Sequence, residues 1–439
     1  METKLARIAE IARTKPKEAF TSLYHYLNEA MLLQSHKELS ANKAAGIDEV
    51  TKEEYAKNLE GNIKNLVEKL KKHSYKPQPV RRVYIPKDDG QKRPLGIAAY
   101  EDKIVQQGLK KILQTIYEAD FLNFSYGFRP GRSCHDALVN LDRQLKWKTS
   151  FIVDVDIKGF FDNVSHEWMM KFIGVRIADP NIKWLILKFL KAGVMNGEAI
   201  EPTETGTPQG AIISPLLANI YLHYALDLWY AKAMQPRMKG AAALVRYADD
   251  FVCCFLFKED AERFYTELQE RLGKFGLEIA ENKSKIIEFG RYAARTRKAK
   301  GLGKPETFDF LGFTHYCSQN QWGQFTVKRK TSKKKFKAKV KAYANWIKSA
   351  KDRESIHQIF ETTRVKLIGH YNYYGITHNS RMIATYYDRV GELLYKWLNR
   401  RSQRKSVTWE SFNKYLKLNP LPKPRITHRL SNGQFISVR

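Results

Sequence analysis

Val245-Arg246-Tyr247-Ala248-Asp249-Asp250-Phe251, V-R-Y-A-D-D-F, is the stretch on which the fold turns. Ala243-Leu244-Val245 precedes the turn, and Phe251-Val252-Cys253-Cys254-Phe255-Leu256 follows it. Two apolar, β-prone runs around a short polar step predict a strand, a tight turn and a second strand. The turn sets two carboxylates, Asp249 and Asp250, side by side. Two acids at the tip of a buried hairpin are costly unless a cation neutralises them. Hard oxygen ligands suit Mg²⁺. Taken alone, the same residues also suit a plain polar hairpin, because Asp is a good turn former. The rest of the chain separates the two readings.

The chain has 439 residues, 43% of them hydrophobic, enough for two or three domains with real cores. Its formal charge is +30, from 76 Lys and Arg against 46 Asp and Glu. So large an excess argues against an enzyme of small molecules and for a polyanionic partner, either nucleic acid or an anionic membrane surface. No apolar run reaches the ~18 residues of a membrane span, and the N-terminus lacks the apolar core of a signal peptide. Cys134, Cys253, Cys254 and Cys317 make no C-x-x-C pair, so neither a zinc module nor a disulfide framework is expected, and a reducing cytoplasm fits.

Residues 1 to about 75 read as helical and charged. Val80–Pro86 and Gln91–Ile97 then flank Lys87-Asp88-Asp89-Gly90, a hairpin signal rich in cations. A solvated, charge-protected edge strand is the plainer reading of it. A helix follows from Glu101 to about Tyr117. Ser125–Arg132 (S-Y-G-F-R-P-G-R) is an irregular loop whose aromatic and Arg residues, Arg129 among them, suit contact with a base, a sugar or a phosphate. Packing by Tyr126 and Phe128 explains the same loop equally well. Phe151–Ile157 reads as a strand with Asp154 and Asp156 on one face. Ser165 suits a helix N-cap, and a second helix spans Ile182–Lys191. Gly206-Thr-Pro-Gln-Gly210 leads to Ser214 as N-cap and Pro215 as first helical residue.

Lys258–Phe275 is an amphipathic helix closed by Gly276. Leu277–Ile279 reads as a strand, Arg291–Lys304 as a basic loop, and Phe308–Phe313 as a turn between short strands. Lys328–Lys341 holds nine Lys or Arg, with Phe336, Val340, Tyr343 and Ile347 at helical spacing. It therefore reads as a basic helix with a core face. Two further helices, near Ile356–Leu367 and Ser380–Leu398 and separated by Gly369–Gly375, complete a small bundle. The last forty residues are basic.

If the strands carrying Asp156 and Asp249/Asp250 are neighbours, three carboxylates converge, with Asp154 the competing first-strand ligand. Two Mg²⁺ ions roughly 3.5–4 Å apart would then activate a 3′-hydroxyl and stabilise a pyrophosphate leaving group. Nearby cations such as Lys87 and Arg93 would meet charge developing on phosphate oxygens.

The order Val80–Ile97, Ser125–Arg132, Asp156–Asp162, Gly206–Ser214, Arg246–Asp250, Leu277–Lys285 and Phe308–Phe313 resembles the successive blocks of reverse transcriptases. It is most similar to the bacterial group II intron-encoded reverse transcriptase/maturase, from about Ala44 to beyond Trp409. The resemblance implies an α+β right-hand polymerase, with fingers and palm built on antiparallel sheet and an α-helical thumb that doubles as the maturase domain called X. The implied layout is an N-terminal helical extension and start of the fingers at 1–75, fingers and palm at 76–320, thumb and domain X at 321–400, and a basic, DNA-binding segment at 401–439.

The resemblance also implies roles. Asp156, preferred to Asp154, joins Asp249 and Asp250 as catalytic metal ligand for two Mg²⁺, with Mn²⁺ as a substitute. Lys283 is the proton donor to pyrophosphate. Lys87 and Arg93 hold the triphosphate of the incoming dNTP, Phe161 is the steric gate against a 2′-hydroxyl, and Gln209 contacts the nucleotide. Arg129, Tyr247, the primer-grip residues Leu311 and Gly312, and Lys333, Lys337 and Lys341 of the basic helix contact RNA or primer. The partners implied are group II intron RNA, an RNA template and a DNA primer or target, with no membrane, in the bacterial cytoplasm and at the nucleoid when acting on DNA. The expected function is RNA-directed DNA polymerase that also assists splicing and retrohoming. The alternatives are a non-catalytic splicing cofactor and a domesticated enzyme of repair or phage defence. The paired cysteines of the H-N-H endonuclease found in many relatives are not seen, Ala211 stands where many have a second Gly, and Ala98-Ala99 replaces a Pro-containing stretch.

Overall fold

The computed structural model describes residues 2–86, 92–196, 199–201, 203–401, 407–431 and 434–437. In chain order the described strands are β1 (Val80–Pro86), β2 (Lys92–Ile97), β3 (Phe151–Val155), β4 (Val194–Asn196), β5 (Ala199–Glu201), β6 (Ala242–Tyr247) and β7 (Asp250–Phe255). They continue as β8 (Lys285–Glu288), β9 (Phe308–Phe310), β10 (Phe313–Gln319), β11 (Phe325–Thr331), β12 (His428–Ser431) and β13 (Gln434–Ser437). The sheet orders are β2-β1-β4-β5, β6-β7-β3-β8, β11-β10-β9 and β12-β13. Helices supply most of the remaining structure, and the fold is α+β. By compactness the chain divides into two units. The first is Met1–Ser133, Val153–Cys253 and Glu259–Lys285, and the second is Cys134–Ile152, Cys254–Lys258 and Ile286–Arg439.

In the first unit, β1 and β2 pair antiparallel from Arg81↔Ile97 to Pro86↔Lys92, and β1 also pairs in parallel with β4 through Val80↔Val194. The helix Tyr100–Tyr117 buries Ile104, Val105, Leu109, Ile112, Leu113 and Ile116, the three-to-four spacing of a core-facing stripe. Asp102, on its first turn, is only 3% exposed. Its carboxyl accepts from the Tyr75 hydroxyl and from the Gln78 N–H at 2.9 Å, which pins the chain leading into β1.

Ser165 caps the helix His166–Gly174, its Oγ accepting from the Trp168 N–H at 3.3 Å. Ser214 does not act as the N-cap expected of it. Ile213 holds that position and Ser214 is the first helical residue, its hydroxyl donating instead to the Pro208 carbonyl at 2.9 Å. That bond folds the Gly/Pro loop back onto the helix start. Beyond Leu222 this helix widens into π-type turns at His223–Asp227 and Tyr230–Met234. Leu277–Ile279 is not a strand either. It makes one antiparallel bridge, Ile157↔Ile279, and the strand comes later, at β8.

In the second unit, Phe308–Phe313 is two short strands joined by a turn, with Leu311 at φ +49° and Gly312 at φ +79°. The expected basic helix over Lys328–Lys341 divides in two. Phe325–Thr331 pairs with β10 from Phe313↔Thr331 to Gln319↔Phe325, and the helix Lys333–Arg353 starts only after Ser332, whose Oγ accepts from the Lys335 N–H at 3.4 Å. The alternate burial of Val327, Arg329 and Thr331 gives this segment a strand period that outweighs its charge. Gly369–Gly375 does not separate two helices. Helix Ile356–Tyr374 runs through it, burying His370, Tyr371 and Tyr374, and packs with Lys333–Arg353 and Ser380–Leu398. Arg291–Lys304, expected as a loop, contains the helix Ala293–Ala299. Arg329, fully buried, pairs with Asp142 of helix Cys134–Trp147. Among the described residues no helix is long and apolar enough to cross a membrane.

Burial raises the Asp102 carboxyl to about 7, partly opposed by its bonds from Tyr75 and Gln78. A carboxyl raised on folding adds stability that is present below its ordinary value near 4 and is lost as pH rises toward 7. Urea unfolding across that interval should show stability falling with pH. Asp102→Asn should flatten the slope, and an unchanged slope would assign the effect to other groups.

Candidate active site

The β6–β7 hairpin closes on Tyr247-Ala248-Asp249-Asp250. Ala248 is buried and left-handed, at φ +58°, a conformation that costs an alanine about 1–2 kcal/mol. Its neighbours enforce it. The fully buried Arg246 donates from Nη1 to the Ala248 carbonyl at 2.9 Å and to Asn219 Oδ1 at 3.0 Å. Its Nε donates to Asp227 Oδ1 at 2.8 Å, and its Nη2 reaches Asp227 Oδ2 and, at 2.8 Å, Ser125 Oγ. Asn219 Nδ2 donates to the Gly127 carbonyl at 2.6 Å. The main chain joins in, with Tyr126 N–H donating to the Arg246 carbonyl and Arg246 N–H to the Phe124 carbonyl, both at 2.9 Å. A Cβ on Gly127 would stand 2.3 Å from the Ala248 nitrogen, so only glycine lets this segment cross the turn.

Asn219 and Asp227 are eight residues apart, which in a regular α-helix leaves them about 80° apart around the axis. The wide turn at His223–Asp227 absorbs part of that angle, so both face Arg246. Burial raises the Asp227 carboxyl, and the Arg246 guanidinium opposes the rise.

Asp156 follows β3. Its N–H donates to Ser284 Oγ at 3.2 Å, and Lys283 Nζ donates to its Oδ2 at 3.1 Å, with both side chains about half exposed. The Ala280 N–H donates to the Asp156 carbonyl at 2.8 Å, fixing the turn that carries Lys283. Burial pushes the Asp249 carboxyl up, and Asp156 pushes it the same way, while Arg93 and Arg246 pull it down. Asp156, Arg93 and Asp249 therefore lie within electrostatic reach of one another, with the half-buried Asp250 next in the chain. Among the described residues no three His, Cys, Asp or Glu side chains stand ready as a metal cage. The donor set nevertheless fits a divalent cation. It offers only hard carboxylate oxygens, and the raised Asp249 carboxyl is the electrostatic condition that a cation relieves.

On the other side, the loop Gly206–Gly210 is tied to the short helix Phe160–Asn163. Gly206 N–H donates to the Val164 carbonyl and Thr207 N–H to the Phe161 carbonyl, each at 2.8 Å. Gly206, at φ +87°, lies so close that a Cβ would come within 2.9 Å of the Phe161 and Asp162 carbonyls. Gln209 Nε2 donates to Asp162 Oδ1 at 3.4 Å, and the Gln209 carbonyl accepts from Gly96 N–H of β2 at 2.6 Å. Arg82, Leu95, Phe161, Asp162, Thr207 and Gln209 line a cleft of about 260 Å³. Lys87 lies outside the described residues.

The reverse transcriptase (RNA-dependent DNA polymerase) family model matches residues 85–315, more than half of the chain. The chain belongs to the reverse transcriptase family. It is 42% identical over 221 residues to the group II intron-encoded protein LtrA of Lactococcus lactis subsp. cremoris, covering 50% of this chain and 37% of that one. It is 37% identical over 236 residues to protein YkfC of Escherichia coli (strain K12), 47% of this chain and 62% of that one. An uncharacterized 91 kDa protein in the cob intron of Schizosaccharomyces pombe is 42% identical over 161 residues, 37% of this chain and 20% of that one. The chain thus spans between a fifth and two thirds of these relatives.

Within this reverse transcriptase chain, Arg129, expected at the RNA or primer, is held inside the fold. Its side chain is 3% exposed, paired with Glu118 at 3.0 Å and donating to the Leu122 and Ser125 carbonyls at 2.8 Å. Tyr247 is half-buried, its ring 6.3 Å from that of the exposed Phe128. The carbonyls of Leu311 and Gly312 are taken up internally, by the Tyr373 hydroxyl at 3.0 Å and the Ser332 N–H at 2.9 Å. Lys333, Lys337 and Lys341 are exposed at four-residue intervals along one helix, while Tyr343, Ile347 and Ala350 are buried. Sequence reasoning missed the Arg246 network. The available signal was a charged residue inside an apolar strand, which must find a buried partner.

Arg246→Ala leaves Asp227 buried without its ion partner and should cost about 3–5 kcal/mol in urea unfolding. Gly127→Ala must displace the turn backbone and should cost about 1–3 kcal/mol. Wild-type stability in either variant would mean that the turn is held by something else.

Proposed function

We propose that this protein is an RNA-directed DNA polymerase that also binds a group II intron RNA to assist splicing and retrohoming. The observation that carries the reading is the rigid turn presenting Asp249 and Asp250, with Asp156 and Arg93 in electrostatic reach and Lys283 on Asp156. Asp156, Asp249 and Asp250 would hold two Mg²⁺ ions, or Mn²⁺ in their place, which supply Lewis-acid activation of a primer 3′-hydroxyl and neutralise charge on departing pyrophosphate. Arg93, with Lys87, draws the triphosphate of the incoming dNTP to the carboxylates. Lys283, whose Nζ lies 3.1 Å from Asp156 Oδ2, gives a proton to pyrophosphate as it leaves. Phe161 and Gln209, held by the Gly206–Gly210 loop, bound the sugar of the incoming nucleotide, and the Phe161 ring excludes a 2′-hydroxyl.

Helices Lys333–Arg353, Ile356–Tyr374 and Ser380–Leu398 serve as thumb and domain X within residues 321–400, and Lys333, Lys337 and Lys341 face the RNA backbone. Leu311 and Gly312 shape the primer grip, Tyr247 abuts the primer end, and residues 401–439 take DNA. The bacterial cytoplasm is the site of action. LtrA, similar over half of this chain, is described as a group II intron-encoded protein, which supports intron RNA as the partner.

Primer extension on an RNA template with a DNA primer, dNTPs and Mg²⁺ tests the reading. The intact protein should extend the primer, and Asp249→Ala should not. Equal extension by both would remove the hairpin from the chemistry, and tight RNA binding without extension by the intact protein would favour a splicing cofactor. Phe161→Val should raise ribonucleotide incorporation at least ~10-fold relative to dNTPs, the scale at which a pocket discriminates by size. Unchanged discrimination would move the steric gate elsewhere.

A further inference from the structure

We propose that the outer face of the β10–β11 hairpin is a stacking platform for single-stranded RNA, separate from the polymerase chemistry. The hairpin register separates its two faces. Phe313, His315 and Cys317 of β10 and Val327, Arg329 and Thr331 of β11 alternate with a second set, Thr314, Tyr316 and Ser318 opposite Lys330, Lys328 and Thr326. His315, Val327 and Arg329 are fully buried, and Arg329 is committed to Asp142, so that face belongs to the core. The second face presents one ring and two cations. Tyr316 and Lys328 are half-buried, Lys330 is exposed, and Lys330 Nζ sits 5.5 Å from the centre of the Tyr316 ring. β11 is an edge strand of its sheet, which leaves this row of side chains at a border.

The hairpin tip adds a second aromatic. Trp322 is 73% exposed, a large apolar area for a residue on an ordered turn. The turn is built to hold it outward. Asn320 Oδ1 accepts from the Trp322 and Gln324 N–H groups, both at 3.0 Å. The Asn320 N–H donates to the Gln324 carbonyl at 2.9 Å and its Nδ2 to Gln324 Oε1 at 3.1 Å, while Gly323 takes φ +73°. The indole is therefore presented by a fixed loop, and little order is lost when something stacks on it.

Aromatic rings displayed on and beside a sheet, with lysines between them, are the combination that takes unstacked bases and their phosphates. Duplex nucleic acid offers no free base faces to Trp322 and Tyr316, so the occupant is single-stranded. Asp309 of β9, opposite Thr314 and hydrogen-bonded to its hydroxyl, adds an exposed carboxylate at the far end of the same face. A carboxylate repels phosphate and accepts a hydroxyl. A ribose 2′-hydroxyl satisfies it and a deoxyribose cannot, which selects RNA over DNA.

The test uses the full chain and an RNA oligonucleotide of about 12 nucleotides, within the span such sites cover, carrying 5-iodouridine for photocrosslinking and peptide mapping. Adducts are expected on Trp322 and Tyr316. Trp322→Ala should remove the tip adduct and lower the Tyr316 adduct at least about 5-fold, the smallest loss expected for one stacked base. Its thermal unfolding should match the wild type, since the side chain stands in solvent. The double variant Lys328→Glu/Lys330→Glu should reduce the slope of log affinity against log salt by about 1.4, two phosphate contacts at ~0.7 each on a single strand. DNA of the same sequence should crosslink several-fold less. Adducts confined to other peptides, or an unchanged Tyr316 adduct in Trp322→Ala with an unchanged salt slope, would overturn the platform. Equal crosslinking of DNA would overturn the commitment to RNA.

Discussion

The turn that carries Asp249 and Asp250 depends on one buried guanidinium. Arg246 stands inside an apolar strand with no access to water, and every direction in which it can donate is met by Asp227, Asn219, Ser125 or the Ala248 carbonyl. Burying such a charge is repaid only by near-complete pairing of this kind. Once paired, it leaves Ala248 no relaxed alternative, because its own carbonyl is one of the acceptors. The backbone strain at Ala248 is thus balanced by the cost of breaking the network, and the two acids inherit a fixed direction. Asp249 and Asp250 make few demands on the fold. The fold makes many demands on the residues behind them.

Much of this was readable in the sequence, for identifiable reasons. The β6–β7 hairpin, the cation-rich β1–β2 pair and the Ser165 cap each depend on local chemistry: alternation, turn residues and an N-cap hydroxyl. Errors came where distant contacts override local signals. Lys328–Arg329-Lys330 looks helical by composition, yet Arg329 points into the core to meet Asp142, so the segment pairs as a strand. Arg129 looks like a phosphate ligand until Glu118 and two carbonyls are seen to claim it. Ser214 loses its cap role to a bond with Pro208 that no spacing rule anticipates. Gly369–Gly375 resembles a breaker, but its aromatics are needed in the bundle core. A lone sequence states which residues are charged. It does not state which of them are already spoken for.

The other side of the site, around the Gly206–Gly210 loop, is assembled differently. There the contacts are main-chain: Gly96 to Gln209, Thr207 to Phe161, Gly206 to Val164. Side chains at these crossings would hold the strands apart, as the close approaches at Gly206 and Gly210 make plain. One short loop therefore touches both the β1–β2 hairpin and the turn bearing Phe161. A displacement of the hairpin would be felt at Phe161 through two hydrogen bonds rather than through a flexible side chain.

The π-type turn at His223–Asp227 has a further consequence, for what the gene can lose. A surface helix usually survives the removal of one residue, since the helix re-registers and only a loop changes length. Here the turn is buried, yet a single-residue deletion between Asn219 and Asp227 would restore ordinary helical pitch and leave the two seven residues apart, about 20° around the axis, both still facing Arg246. An insertion is the harmful change: one more residue would turn Asp227 about 100° away from Arg246, and a buried cation would be left without its anion. The region is long, apolar and outwardly unremarked by any motif. Its residue count nonetheless matters as well as its composition, and a gained residue there should be tolerated less well than a lost one.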